Sequence, residues 1–484
     1  MSAAVPGVES ILRTFAGPIR IAASIIVASL AAGATGEVRD FYNVIAPGGA
    51  DPWVCRHEDG FYYATVTTGR DVTILRARTL SGLGGGERKV AWRPTGSGPA
   101  SDNIWAPELH RFDGKWYVYF AADDGENANH RMYALENASV DPFQGKFVLK
   151  GKVADPGSDR WAIDGTAFRH GGRLYFLWSG WEGTDDVHQG LYIAPMANPW
   201  TLAGARVEIS RPTLDWETRG GPPAVNEGPQ VLIKGGAVSV VFSAGASWTD
   251  HYCLGLLQAR AGGDLLDPAT WSKRPEPVFA GGNGVVGPGH GSFTRSPDGR
   301  EDWIVYHAAR RPGSGWNRHL RIQPFGWLAD GTPHFGQPAH PDRPIALPGG
   351  EPARLRIEAE AAGLRGTVRG VSRTGASGGG LVAGLDDPGD AVEFDLPAGA
   401  SGTHHIAVRF GNDTPGGVVA SQVVSVNDGP PVAVRYPHFG PGRWSSVVVP
   451  VELRAGPNRV RFARGRGVAE LDCLDFIPPT PLGR

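Results

Sequence analysis

Five polar residues recur along the chain at nearly constant spacing, each inside a short motif. They are Asp51 in GADPWV, Glu108 in IWAPEL, Asp164 in AIDGTAF, Glu227 in NEGPQV and His290 in GPGHGSF. The intervals between successive members of the set are almost equal. Carboxyl and imidazole groups are the side chains that most often transfer protons in enzymes. The set therefore predicts acid–base chemistry, provided that the fold brings these residues to one place.

Glu227 poses the sharpest question, because it stands between a Pro-rich loop and an apolar run typical of a buried strand. Burying an unpaired carboxylate is unfavourable, and the usual response is a raised pKa or a bonding partner. A single Glu at such a junction is also compatible with simple bonding to nearby backbone amides. The other four motifs favour a functional role.

The elements that must position these residues also repeat. Each motif is followed by a Gly turn and an aromatic-rich alternating strand. The turn glycines, which are also almost evenly spaced, are Gly60, Gly114, Gly172, Gly236 and Gly299. Fixed-period repeats of this length, each sufficient for four short strands, indicate propeller blades. We predict an all-β chain with a five-bladed β-propeller over residues 40–345, whose innermost strands line a central channel.

Composition and the N-terminus narrow the class of protein. A formal net charge of −2 shows no excess of basic residues for binding nucleic acid, so the partner is expected to be neutral. Residues 1–34 carry Arg13 and Arg20, then an apolar run ending in Ala-Gly-Ala, as in a secretory signal. A membrane anchor is the alternative, disfavoured because the run is shorter than the roughly 20 residues of a spanning helix. We expect a secreted or periplasmic protein with no membrane contact after cleavage.

The five motifs together resemble glycoside hydrolase family 43, whose members are five-bladed propellers that remove arabinose or xylose from plant polysaccharides. The resemblance implies that Asp51 is the general base, Asp164 the modulator of the acid's pKa, and Glu227 the general acid. It also implies that His290 helps to hold a calcium or other metal ion in the channel. Glu108 is expected to be structural.

Such a trio suits inverting glycoside hydrolysis. One carboxylic acid protonates the leaving oxygen, and a carboxylate about 6.5–9.5 Å away activates a water on the opposite sugar face. The acid must be protonated near neutral pH, and apolar neighbours and the charge of Asp164 are expected to raise the pKa of Glu227.

Aromatic residues close to the motifs are candidates for stacking on sugar faces. We select Trp105, Trp53 and Trp181 as substrate-binding residues, although most aromatics of a propeller pack between blades.

A second domain follows a Pro-rich linker at residues 346–355. Residues 356–478 contain short alternating strands that predict an independently folding β-sandwich of jelly-roll type. This region resembles carbohydrate-binding modules of families 6 and 35, which implies a structural calcium held by Glu358, Glu360 and Asp472. In such modules sugars stack on loop aromatics, for which Tyr436, Phe439 and Trp444 are available.

We therefore expect an exo-acting glycoside hydrolase that releases L-arabinofuranose from arabinan or arabinoxylan of the plant cell wall. β-Xylosidase activity is the alternative within the same chemistry. A non-catalytic sugar-binding propeller is the alternative from another class, although a lectin does not need three carboxylates in one channel. A metal-dependent hydrolase is disfavoured, since no clustered His and Asp ligand set is visible.

Overall fold

The computed structural model of the chain describes residues 35–479, so the signal segment predicted at residues 1–34 lies outside it. Within this range the regular elements are β-strands and single-turn 3-10 helices. No helix in the described range is long and apolar enough to cross a membrane. The 3-10 helices are Leu83–Gly85, Asn127–Asn129, Pro268–Thr270, Ala359–Ala361, Ser377–Gly379 and Pro415–Gly417. The expected all-β fold class is confirmed.

Five groups of antiparallel strands form the blades of a propeller, and their first strands contact one another in cyclic order around a channel. Blades 3 and 4 are also joined by a short parallel pairing of His188 and Gln189 with Ala224 and Val225. Blade 1 contains Trp53–Arg56, Tyr62–Thr65, Val72–Ala77 and Glu87–Trp92, and blade 2 contains Asp102–Phe112, Lys115–Asp123, Arg131–Asn137 and Val148–Val153. Blade 3 contains Ala162–His170, Arg173–Trp181, His188–Asn198, Thr201–Leu202 and Val207–Ser210. Blade 4 contains Ala224–Lys234, Ala237–Ala244, Cys253–Ala259 and Trp271–Lys273, and blade 5 contains Val286–Arg295, Asp302–Ala309, Arg318–Trp327 and Pro333–His334.

The aromatic and β-branched residues of these strands pack between blades. Separate buried hydrophobic clusters fill the interfaces between blades 1 and 2, 2 and 3, 3 and 4, 4 and 5, and 5 and 1. The ring is closed by the segment before blade 1, where Ala46 pairs with Leu320 of blade 5 and the short strands Asp40–Phe41 and Ile345–Ala346 pair with each other. Each blade is thus held by both neighbours, which fixes the channel-facing ends of the first strands.

The C-terminal region is a sandwich of two sheets around its own core. One sheet contains Thr35–Val38, Arg354–Glu358, Arg369–Ser372, Gly380–Ala383, Gly402–Gly411, Trp444–Leu453 and Glu470–Ile477. The other contains Gly363–Arg365, Ala391–Ala398, Ala420–Val426, Val432–Tyr436 and Gly456–Arg464.

Two features of this region differ from the sequence-based expectation. The edge strand Thr35–Val38 precedes the propeller in the chain, yet it pairs with Arg354–Glu358 in the sandwich. The segment predicted as a linker is also packed, because Glu351 is buried and its Oε1 accepts a hydrogen bond from the backbone N–H of Ser81 in blade 1. Neither feature leaves a trace in residue composition, since both depend on partners that are distant in the chain.

Candidate active site

The same β-bulge, with two residues opposite one residue of the second strand, interrupts the first strand of blades 2 to 5. In blade 1 it lies just before Trp53–Arg56 and after Ala50, whose carbonyl accepts a hydrogen bond from the Thr67 N–H. The bulges are residues 51–52, 106–107, 164–165, 228–229 and 290–291. The first bulge residue always has positive φ: 53° at Asp51, 41° at Ala106, 56° at Asp164, 53° at Gly228 and 45° at His290. This backbone costs a non-glycine residue about 1 kcal/mol, and such strain is concentrated at functional sites, where it re-aims a side chain.

The bulges correct the sequence alignment of the five polar residues. Asp51, Asp164 and His290 occupy the same bulge position in blades 1, 3 and 5. Glu227 stands one residue before the bulge of blade 4, and Glu108 stands two residues after the first bulge residue of blade 2. Equal spacing predicts five equivalent positions, and this prediction is wrong for Glu227 and Glu108. A shift of one or two residues along a strand is not visible in intervals as long as a whole blade.

Glu108 is buried and stands outside the position that Asp51, Asp164 and His290 share. Its carboxylate accepts a hydrogen bond from Gln230 Nε2 of blade 4, and the other oxygen lies 2.8 Å from His110 Nε2. Both oxygens have partners within the protein, which agrees with the structural role expected for it.

Asp51 is the most open of the three carboxylates, with 21% of its side chain exposed. Thr67 Oγ1 donates to Oδ2 at 2.5 Å, and His290 Nδ1 lies 3.2 Å from Oδ1. The backbone N–H of Asp51 donates to His307 Nδ1 at 2.9 Å, and burial lowers the pKa of His307 well below its usual value, so this ring is neutral. Asp51 is therefore oriented by three neighbours while it keeps access to water, as a general base requires.

Asp164 and Glu227 are both buried, and each is harder to ionise than usual. Burial raises the pKa of Asp164 well above its ordinary value, and the charges of Glu227 and Asp51 raise it further, against one hydrogen bond from the Gly228 backbone N–H at 2.9 Å. Burial likewise raises the pKa of Glu227 to about 7, with Asp51 adding to the effect. Two buried carboxyl groups in one site titrate as a pair, so they retain a proton near neutral pH.

Two residues that the sequence analysis did not single out complete the surroundings of Glu227. Tyr252 O–H donates to Glu227 Oε1 at 2.8 Å, which favours the carboxylate and limits the rise of its pKa. Arg318 is 3% exposed, its Cζ lies 5.0 Å from the Tyr252 ring centroid, and its charge also lowers the pKa of Glu227. Neither residue lies in a recurring motif, so no pattern in the sequence identifies them.

Arg318 also has unused donors. Its Nε and Nη1 are buried and have no hydrogen-bond partner among residues 35–479. Unpaired guanidinium donors close to the carboxyl groups of Asp51, Asp164 and Glu227 are suited to hydrogen bonding with the hydroxyl groups of a sugar.

His290 faces the carboxylates rather than a set of metal ligands. Its Nδ1 is 3.2 Å from Asp51 Oδ1 and 4.0 Å from Asp164 Oδ2, and burial lowers its pKa. In the described part of the chain, no group of three or more His, Cys, Asp or Glu side chains is arranged to hold a metal ion. His290 therefore lies within reach of Asp51 and Asp164, and the metal ion expected beside it stays a prediction.

The three selected tryptophans differ in their surroundings. Trp105 occupies the residue before the bulge in blade 2, the position of Glu227 in blade 4, and is partly exposed. His130 stacks on it with ring centroids 4.0 Å apart. Trp53 and Trp181 are buried in the clusters between blades. Their burial favours packing, so Trp105 is the candidate whose position fits the channel mouth.

The acidic residues predicted to bind calcium in the sandwich are only partly assembled. Glu358 Oε2 and Glu360 Oε2 are buried without hydrogen-bond partners in residues 35–479. A Cβ on Gly378 would lie 3.1 Å from Glu358 Cδ and 3.3 Å from Glu360 Oε1, so the two carboxyl groups flank a shared space. Asp472 is engaged elsewhere, by the Ser377 backbone N–H at 2.8 Å and by Arg409.

The loop aromatics of the sandwich are not available to a polysaccharide. Tyr436, Phe439 and Trp444 are all buried. Tyr436 donates to Gln422 Oε1, Phe439 packs near His319 of blade 5, and Trp444 lies against two arginines of the sandwich. Phe439 and Trp444 line a small cavity, and none of the three rings presents an exposed face to a polysaccharide.

Comparisons with known proteins agree with this geometry. Residues 41–333 match Glycosyl hydrolases family 43. An extracellular exo-α-(1→5)-L-arabinofuranosidase of Streptomyces avermitilis is 44% identical over 310 residues, which cover 62% of this chain and 63% of the relative. α-L-Arabinofuranosidase 43 of Humicola insolens is 38% identical over 340 residues, covering 68% of each chain.

A solved structure supports the same assignment. The crystal structure of an α-L-arabinofuranosidase from Lactobacillus brevis has a TM-score of 0.58 and 38% identity, covering 62% of this chain and 97% of that one. The residues matched by the family include all five bulges and the carboxylates that they position. The chain therefore belongs to glycosyl hydrolase family 43.

Proposed function

We propose that this protein is a secreted exo-α-L-arabinofuranosidase that releases L-arabinofuranose from arabinan or arabinoxylan with inversion of configuration. The observation that carries the proposal is the difference between two carboxyl groups at one channel mouth. Asp51 is open to water and oriented by Thr67 and His290, whereas Glu227 is buried with its pKa raised to about 7. An ionised base and a protonated acid are the two groups that inverting hydrolysis requires.

Each residue then has a defined part in the reaction. Glu227 gives its proton to the glycosidic oxygen as the bond to the anomeric carbon breaks, and Asp51 takes a proton from the water that attacks from the opposite face. Asp164 competes with Glu227 for a proton in the same buried site, and when Asp164 is ionised its charge favours the protonated acid. Arg318 offers two buried donors to hydroxyl groups of the bound sugar, and Trp105 forms a wall of the pocket.

The sugar specificity is supported by the relatives, of which those from Streptomyces avermitilis and Humicola insolens are both named as arabinofuranosidases. The first is named as extracellular, which supports secretion. The chain spans less than two thirds of that relative's length.

A direct test compares nitrophenyl α-L-arabinofuranoside with nitrophenyl β-D-xyloside, and linear arabinan with arabinoxylan. We expect arabinose as the sole early product from arabinan and a clear preference for the arabinofuranoside. Proton magnetic resonance during the first minutes should show the β-anomer from the α-linked substrate. Retention of configuration would exclude the inverting mechanism. A preference for the xyloside would identify a β-xylosidase and would leave the proposed mechanism unaffected.

We further propose a structural calcium in the sandwich, held by Glu358 and Glu360. Their two unpartnered oxygens around Gly378 support this choice. Asp472 would have to leave Arg409 and Ser377 to become a third ligand. Calcium should raise the melting temperature after chelation, because a ligand of the folded state stabilises it by mass action. Glu360→Gln should abolish this rise in melting temperature. An equal rise in that variant would show that calcium does not bind at Glu360.

A further inference from the structure

A cavity of about 190 Å³ lies between blade 5 and the sandwich, apart from the carboxylates of the channel. Blade 5 contributes Arg310, His319 and Arg321 to its walls, and the sandwich contributes Phe439 and Arg443. About 10–15 Å³ of volume measured in this way admits one water molecule, so the cavity has room for several. It therefore suits a small ligand or one sugar unit and not a polymer segment.

The walls carry an excess of positive charge that the protein leaves uncompensated. Within residues 35–479, none of Arg310, Arg321 and Arg443 forms an ion pair with a carboxylate. Arg321 is 1% exposed, and its bonds within the described chain are to the Tyr306 hydroxyl and the Ala339 carbonyl. A guanidinium group removed from water without a counter-charge is strongly unfavourable. Such a group is stabilised when an anion occupies the adjacent space.

The remaining charged and titratable groups at the cavity do not cancel this excess. Asp342 is the one carboxylate on the lining within residues 35–479, and Arg409 of the sandwich lies 4.0 Å from it. His340 also lines the cavity, and its Nδ1 accepts the backbone N–H of Asp342.

His319 points to the same conclusion independently. It is 5% exposed and lines the cavity, yet neither ring nitrogen has a hydrogen-bond partner in the described residues. Its ring is held by Phe439, with centroids 5.2 Å apart. Buried polar nitrogens are nearly always hydrogen-bonded. The unbonded ring nitrogens of His319 therefore indicate that a polar ligand occupies the cavity beside the three arginines.

We propose that the cavity binds a small oxyanion, with Arg310, Arg321, Arg443 and His319 as its donors. Guanidinium groups recognise carboxylate and phosphate alike, through paired hydrogen bonds. The source of the anion is the carboxylate of a single uronic acid unit or an inorganic oxyanion. Because this site is separate from the channel carboxylates, it adds an acidic ligand to a protein whose proposed substrate is neutral.

Calorimetric titration of the whole protein at constant ionic strength tests the proposal. The probes are sodium phosphate, sodium galacturonate and neutral galactose, with sodium chloride as the background salt. We expect binding of at least one oxyanion and none of galactose. Binding of galacturonate without phosphate identifies an acidic sugar site, and binding of both identifies a general oxyanion site.

The variants Arg443→Gln and Arg310→Gln remove donors from the sandwich and from blade 5. Each should weaken binding about tenfold to a hundredfold, the usual effect of one charge-assisted hydrogen bond. Arg435→Gln is the matched control, since Arg435 is an exposed arginine of the same sandwich that does not line the cavity. Absence of any oxyanion binding, or an equal loss in the control, would overturn the proposal. Arabinofuranoside hydrolysis should stay unchanged in all three variants.

Discussion

The channel and the sandwich both contain buried carboxylates, but only in the sandwich are some of them paired with arginines. In the sandwich, Asp475 is paired with Arg356 through bonds of 2.7 and 2.9 Å, and Asp472 is paired with Arg409. In the channel, none of Asp51, Asp164 and Glu227 has an arginine or lysine within ion-pair distance among the described residues. A buried carboxylate paired with a cation mainly supports the fold, although burial raises the pKa of Asp472 to about 7 even beside Arg409. A carboxylate without a cation partner keeps its oxygens free for proton transfer to a substrate.

The largest loss of activity should follow Asp51→Asn. Every substrate needs an activated water, so arabinan and an aryl arabinofuranoside should both be cleaved about 10²–10⁴ times more slowly. Steady-state kinetics on the two substrates measures this, with a melting curve to confirm folding. A variant impaired on arabinan alone would argue against a role in water activation.

Glu227→Gln should rank next, with an effect that depends on the leaving group. Arabinan needs a proton on its departing oxygen and should lose about 10²–10⁴-fold in rate, while an activated aryl glycoside should lose much less. The ratio of the two rate losses is the measured quantity. Equal losses would remove Glu227 as the acid.

His290→Ala should have an intermediate effect through Asp51. The imidazole lies 3.2 Å from Asp51 Oδ1 and holds this carboxylate in place, and second partners of this kind contribute about 10–100-fold. We expect kcat to fall while KM and the melting temperature change little. His290→Asn, which keeps a donor, should recover part of the rate, and a large fall in melting temperature would assign His290 to packing instead.

Asp164→Asn should shift the pH profile more than the maximal rate. The acid works only when protonated, so activity falls as the pH rises through the pKa of Glu227, which is about 7. Removing the negative charge of Asp164 lowers that pKa, and the alkaline limb should move to lower pH by about one unit. A profile of kcat/KM against pH shows the shift. An unmoved limb would mean that Asp164 itself holds the shared proton.

Asp472→Asn should have the smallest effect on activity and a clear effect on stability. It leaves Arg409 buried without its partner, which costs about 3 kcal/mol. The melting temperature should fall while arabinofuranoside hydrolysis stays within about twofold, as expected for a site remote from the reacting groups. Asp51→Asn, Asp164→Asn and Asp472→Asn are the same chemical change. If a cation partner distinguishes structural from functional carboxylates, the two channel variants should change activity and the sandwich variant should change stability.

Much of this site was predictable because its parts repeat. The turn glycines and aromatic strands predicted five blades, and the motifs around Asp51, Asp164 and Glu227 carried their proposed roles by resemblance. The one-residue offset of Glu227 was not predictable, since bulges are set by hydrogen-bond register and not by side-chain type. Tyr252 and Arg318 were missed for a related reason: they lie beside or on the third strands of blades 4 and 5 and reach the site only after the blades pack.

The strand Thr35–Val38 has a consequence for the order of folding. It is synthesised before the propeller, but its partner Arg354–Glu358 follows the whole propeller in the chain. Contacts of such high sequence separation form late, because a long loop must close before they are gained. Until the sandwich exists, this segment is a strand without a sheet, a state prone to pairing with other chains. The pairing that joins the first described strand to the sandwich is therefore expected to form after the propeller.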